Sequence, residues 1–117
     1  MILAAGFGTR LKPITDNLPK PLFPVLNRPI LEHTLQFLSK QGIREIAINL
    51  HHQPEKIIDY FGDGKDFGVN LHYSKEEEIL GTAGGIKKLQ SFLKDETFLV
   101  INSDVLADID LNNALEF

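Results

Sequence analysis

An α/β fold of three layers, with a mainly parallel sheet covered by helices on both faces, is what the sequence predicts. Three observations carry that reading. Apolar runs of strand length alternate with amphipathic stretches of helix length along the 117 residues, and glycines and prolines punctuate the boundaries. Polar loops also recur after the strands, at Gly6 to Lys20, in the segment leading to Gly81, and at Asn102 to Asp104. Strands separated by helices pair through crossovers, which makes the sheet parallel. Ligands of such sheets bind at the carboxyl ends of the strands, so these loops are where function is expected.

Taken in order, Met1 to Ala5 is an apolar run that reads as a buried strand. From Gly6 to Arg28 proline and glycine are dense and no period of 2 or 3.6 persists, so a long loop is expected; loops of that length are usually functional or disordered. Pro29 suits the first turn of a helix, Ile30, Leu31, Thr34, Leu35 and Leu38 recur on one face, and Gly42 stops it. Ile43 to Leu50 follows as a strand. A second helix starts near Pro54, buries Ile57, Ile58 and Phe61 and ends at Gly62, where Gly62 to Gly68 is turn chemistry. Val69, Leu71 and Tyr73 alternate as a strand before the acidic run Glu76-Glu77-Glu78. A helix is expected from Thr82 to about Leu93 despite Gly84 and Gly85, then a strand over Thr97 to Ile101, a short strand over Val105 to Ile109, and a helix from Asp110.

Composition excludes several classes. A hydrophobic content of 43% and a charged content of 24% are those of an ordinary globular domain. A net charge of −4 argues against a basic face for nucleic acid or anionic membrane. No cysteine is present, which excludes a disulfide framework and thiolate metal sites, and no apolar run is long enough to span a bilayer. Met1 to Ala5 lacks the length and basic lead of a secretory signal, so a cytoplasmic location is expected. The four histidines stand without further ligands at metal spacing and are expected to pack or face solvent.

The first twenty residues carry the strongest chemical signal. An apolar strand feeds a loop containing Gly6 and Gly8, and the loop presents Arg10 and then Lys20 between two prolines. Glycines let backbone amides approach an anion, and two cations answer its charge. Gly6-Phe7-Gly8 alone would be an ordinary tight turn. A dinucleotide fingerprint needs a third glycine where Leu11 stands, which disfavours a cofactor-binding oxidoreductase, and no Gly-Lys-Ser/Thr triplet forms a P-loop.

The whole string Leu3-Ala4-Ala5-Gly6-Phe7-Gly8-Thr9-Arg10-Leu11, followed by Pro13, Thr15 and Pro19-Lys20-Pro21-Leu22, resembles the signature of the sugar-1-phosphate nucleotidyltransferases. Similarity continues through Pro29-Ile30-Leu31, Leu80-Gly81-Thr82-Ala83-Gly84 and Asn102-Ser103-Asp104, and so runs over essentially the whole chain. The resemblance implies a Rossmann-like nucleotide-diphospho-sugar transferase fold, with residues 1–117 as its nucleotide-binding N-terminal portion and the sugar-binding half beyond them. On that reading residues 1–117 alone bind nucleotide without turnover.

It further implies transfer of a nucleotidyl group from an NTP to a sugar-1-phosphate, giving NDP-sugar and pyrophosphate with Mg²⁺. Arg10 and Lys20 would be the catalytic cations. Leu3, Ala4, Ala5, Gly6, Gly8, Thr9, Gly81 and Thr82 would bind nucleotide, and Asp104 would be one of two metal ligands. The family usually has Gly where Ser103 stands. Five residues before the position of Gly81 the relatives read the base, commonly with glutamine, whereas this chain has Glu76. A carboxylate can accept two parallel hydrogen bonds from guanine, while uracil and thymine offer one N–H. Guanine is therefore favoured, and Glu76-Glu77-Glu78 followed by Leu80-Gly81-Thr82-Ala83-Gly84 most resembles the mannose-1-phosphate guanylyltransferases, which makes GTP with mannose-1-phosphate the expected pair. Uridylyl or thymidylyl transfer to another hexose-1-phosphate, and a non-catalytic nucleotide-binding regulatory relative, stay open, as does homo-oligomerisation. Neither nucleic acid nor membrane is an expected partner.

Overall fold

The computed structural model describes residues 1–6, 13, 16–94 and 96–103. Its strands are β1 (Ile2–Leu3), β2 (Pro24–Val25), β3 (Arg28–Pro29), β4 (Glu45–Leu50), β5 (Asn70–Lys75) and β6 (Ile101–Asn102). Its α-helices are α1 (Ile30–Lys40), α2 (Pro54–Phe61), α3 (Gly81–Lys88) and α4 (Gln90–Leu93). β1, β4, β5 and β6 form one sheet in the order β5-β4-β1-β6, and every pairing in it is parallel. Register aligns Ile2 with both Ile48 and Ile101, so the carboxyl ends of the three strands lie side by side.

The order explains where a ligand can enter. From β1 the chain moves outward to β4 and β5, then returns to the other side of β1 for β6. Right-handed crossovers, the rule for parallel strands, put α1 and α2 on one face and α3 and α4 on the other. The connections therefore diverge at β1 and β6, and a crevice opens beyond their ends.

The core forms as the periodicity requires. Leu31, Leu35 and Leu38 of α1 and Ile57 and Phe61 of α2 pack on Ile2, Ile46, Ile48 and Leu50. A fully buried leucine or isoleucine stabilises by about 1.5–3 kcal/mol, so truncating Leu35 to alanine is expected to cost about 2–5 kcal/mol. Among the described residues no helix is long and apolar enough to cross a membrane.

Three sequence expectations are corrected. The loop expected from Gly6 to Arg28 contains a 3-10 turn at Lys20–Leu22 and the antiparallel hairpin β2–β3. The hairpin turn places Leu26 and Asn27 at φ of 52° and 66°, and a leucine at a position that glycine or asparagine usually takes hid it. The helix expected over Thr82 to Leu93 divides at Leu89, whose φ and ψ of −96° and 16° leave the helical range. The strand expected at Thr97 to Ile101 pairs only at Ile101–Asn102, opposite Ile2 and Leu3, and the residues before it meet β1 through Leu99 O, which accepts from the Met1 amino group at 2.7 Å. Finally, the strand and helix expected after Val105 lie outside the described residues.

Candidate functional site

Beyond the ends of β1, β4, β5 and β6 lies a cleft of about 400 Å³, within the range of small-molecule sites. Leu3, Ala4, Ala5 and Gly6 line it from the end of β1, and Lys20 lines it from the 3-10 turn. Glu76, Gly81 and Thr82 enter from the loop after β5, while Asn102 and Ser103 enter from β6. Eight residues expected at the site, namely Leu3, Ala4, Ala5, Gly6, Lys20, Glu76, Gly81 and Thr82, are thus brought to one cavity. Gly8, Thr9, Arg10 and Asp104 lie outside the described residues. A larger groove of about 920 Å³ opens near the amino ends of the strands, lined chiefly by apolar groups such as Leu38, Phe92 and Phe98. It brings together none of the site residues expected from the sequence.

Local structure holds Lys20 in place. Pro19 and Pro21 on either side are buried, and their rings fix φ on both flanks. The turn closes through Leu22 N to Pro19 O and Phe23 N to Lys20 O, both 2.9 Å. It is then anchored to α1 by Ile30 N to Phe23 O at 2.8 Å, while His33 Nε2 lies 2.6 Å from Val25 O. With the backbone fixed this firmly, only the side chain of the lysine has still to be ordered when it meets a phosphate.

Asn49 is the residue that sequence reasoning missed. It interrupts the apolar run of β4 and is 3% exposed. Its Oδ1 accepts from Ala4 N at 2.8 Å, and its Nδ2 donates to Glu76 Oε2 at 3.0 Å. The signal was available: a carboxamide in a central buried strand, one residue from its carboxyl end, needs partners on both sides.

Glu76 is also 3% exposed. Its Oε1 accepts from Leu80 N at 3.2 Å, its backbone N donates to Leu50 O at 2.7 Å, and His51 Nδ1 lies 2.7 Å from its carbonyl oxygen. His51, expected only to pack or face solvent, therefore braces the loop. Glu77 and Glu78 are exposed, so the acidic run divides into one buried carboxylate and two solvated ones. The loop turns into α3 at Gly81, whose φ of +72° favours glycine.

On the opposite rim Ser103 is buried. Its N donates to Leu3 O at 3.1 Å, and its carbonyl oxygen accepts from Thr34 Oγ1 at 3.2 Å. The side chain that stands where the family usually has glycine is thus accommodated, with α1 holding the backbone that leads into Asp104. Among the described residues no group of three or more His, Asp or Glu is placed to hold a metal.

The chain belongs to the Nucleotidyl transferase family, which matches residues 1–117. UTP–glucose-1-phosphate uridylyltransferase of Synechocystis sp. is 45% identical over 127 residues, covering 99% of this chain and 33% of that protein. D-glycero-alpha-D-manno-heptose 1-phosphate guanylyltransferase of Campylobacter jejuni is 43% identical over 112 residues, covering 96% of this chain and 50% of that protein. The crystal structure of HddC from Yersinia pseudotuberculosis complexed with GMP-PN matches with a TM-score of 0.86 at 32% identity, over 98% of this chain and 51% of that one. The chain spans between a third and about half of the length of these relatives.

Proposed function

We propose that the protein carrying this chain transfers a nucleotidyl group from an NTP to a sugar-1-phosphate, releasing pyrophosphate, and that residues 1–117 supply its nucleotide-binding portion. The observation that carries this reading is the convergence of Leu3 to Gly6, Lys20, and Glu76 to Thr82 on one cleft at the strand ends. A phosphate oxygen of the sugar-1-phosphate attacks the α-phosphorus, the bond to the bridging oxygen breaks, and pyrophosphate leaves. Negative charge is redistributed along that line, so fixed cations are the protein's main contribution. Lys20 from the turn and Arg10 from the glycine loop are the cations of the proposal, one a point charge and the other a fork.

Mg²⁺ belongs to the same proposal. Asp104 follows Ser103 directly and offers a hard oxygen of the kind this ion takes. When bound, the ion would neutralise phosphate charge during transfer.

Guanine is the base proposed, through Glu76. Each carboxylate oxygen has two lone pairs, and Asn49 and Leu80 N each take one, so one acceptor site per oxygen is left for a base. GTP with mannose-1-phosphate is the first pair to test, supported by the guanylyltransferase that acts on a manno-configured heptose phosphate and by the GMP-PN complex of HddC. UTP with glucose-1-phosphate is the second, supported by the 45% identical uridylyltransferase. The test is pyrophosphate release by the full-length protein over a panel of NTPs and sugar-1-phosphates. GTP and mannose-1-phosphate should release it fastest, UTP and glucose-1-phosphate would favour the second reading, and no release with any pair would sink both.

A further inference from the structure

We propose that Asn49 is a positioning residue for base selection, which aims the Glu76 carboxylate and ties the base loop to the start of the glycine loop. The inference rests on the reading of Glu76 as the group that meets the base. Three features of the structure support it.

First, the direction of the Asn49 amide is dictated from outside. A carboxamide has one acceptor end and one donor end, and Ala4 N–H can only donate. Oδ1 must therefore face Ala4, at 2.8 Å, which leaves Nδ2 to face Glu76, at 3.0 Å. The backbone that opens into the glycine loop thus sets the hydrogen-bond polarity that Glu76 meets.

Second, the carboxylate has little freedom left. Oε2 is held by Asn49 and Oε1 by Leu80 N, while the backbone of Glu76 is gripped by Leu50 O and His51. With one oxygen fixed from β4 and the other from its own loop, the plane of the carboxylate is set before any nucleotide arrives. Preorganisation of this kind is how a buried polar group discriminates between ligands that differ by one hydrogen bond.

Third, α3 closes the remaining direction. A Cβ on Gly85 would stand 2.8 Å from Asn49 Nδ2 and 3.1 Å from Glu76 Oε2, so the pair has no space to swing towards the helix.

Base choice then depends on a residue that need not touch the base. The experiment measures kcat/KM for GTP and for UTP in the full-length protein and its variants, with melting temperature recorded for each. Asn49→Asp sets a like charge against Glu76, and Asn49→Ser lacks the reach to it. In each the GTP over UTP ratio should fall at least tenfold. The double variant Asn49→Asp with Glu76→Gln exchanges the donor and acceptor ends of the contact. It should regain the melting temperature lost in Asn49→Asp, and because the carboxamide at position 76 then turns its nitrogen to position 49 and its oxygen to Leu80 N, its base ratio should differ from that of Glu76→Gln alone. A wild-type ratio in whichever position-49 single variant folds, or a double variant that melts no higher than Asn49→Asp or keeps the base ratio of Glu76→Gln, would overturn the proposal. If Glu76→Gln itself leaves the ratio unchanged, the reading of Glu76 fails instead, and the two failures are thereby told apart.

Discussion

Gly85 lies so close to Asn49 that a Cβ at position 85 would stand 2.8 Å from the Asn49 amide nitrogen. Two glycines in the middle of α3 look like a liability in the sequence, since each costs about 1 kcal/mol relative to alanine in a helix interior. At Gly85 the cost has a purpose, because the helix backbone packs directly on the Asn49–Glu76 hydrogen bond. Gly85→Ala should therefore destabilise, by about 1–3 kcal/mol, although alanine is the better helix former. Denaturant titration of the two proteins checks the sign, and a more stable alanine variant would show that the contact is not tight.

Lys20 presents its charge to the cleft from a turn held by buried prolines. Lys20→Ala in the full-length protein should lower kcat by about 10²–10³, the cost of removing one preorganised transition-state contact. Arg10→Ala is expected to do the same. Steady-state rates with saturating NTP provide the measurement, and near-normal turnover by either variant would remove that residue from the mechanism.

For Asp104, expected to help hold Mg²⁺, the prediction concerns the metal. Excess chelator should abolish pyrophosphate release and added Mg²⁺ should restore it. Asp104→Ala should raise the Mg²⁺ concentration needed for half-maximal rate by at least about tenfold, as loss of a ligand-shell group does. An unchanged Mg²⁺ dependence in the variant would assign the ligand elsewhere.

Away from the site, Tyr73 donates its hydroxyl to Gly62 O at 2.7 Å, and burial, reinforced by the negative charge of Asp63, pushes its pKa from 10 up to about 12. The folded pKa lies above the unfolded one, so the fold favours the neutral phenol. The resulting stabilisation is complete below pH 10 and is lost as pH rises towards 12. Tyr73→Phe should flatten the alkaline fall in stability over that window, read from denaturation midpoints at several pH values. An equally steep fall in the variant would place the alkaline sensitivity in another group.

Much of this was legible in the sequence because two periodicities and one motif were strong. The stripe of α1, with Leu31, Thr34, Leu35 and Leu38 buried, follows from spacing alone. So does the parallel sheet, since helices must cross between its strands. What the sequence concealed is long-range polar pairing. Nothing local to Asn49 announces that its partners are Ala4, 45 residues before it, and Glu76, 27 residues after it. His51 looked unremarkable for the same reason, because its partner is a backbone carbonyl 25 residues away. The hairpin around Leu26 was hidden differently, by a residue that rarely adopts positive φ.

The central claim, nucleotidyl transfer at this cleft, is tested most directly by following the phosphorus of the acceptor. A mannose-1-phosphate labelled at its phosphorus and an unlabelled GTP are given to the full-length protein with Mg²⁺. The account predicts one labelled nucleotide-sugar for each unlabelled pyrophosphate released, and loss of both in Lys20→Ala. Label appearing in pyrophosphate or inorganic phosphate, or no transfer with any NTP and sugar-1-phosphate tried, would contradict it.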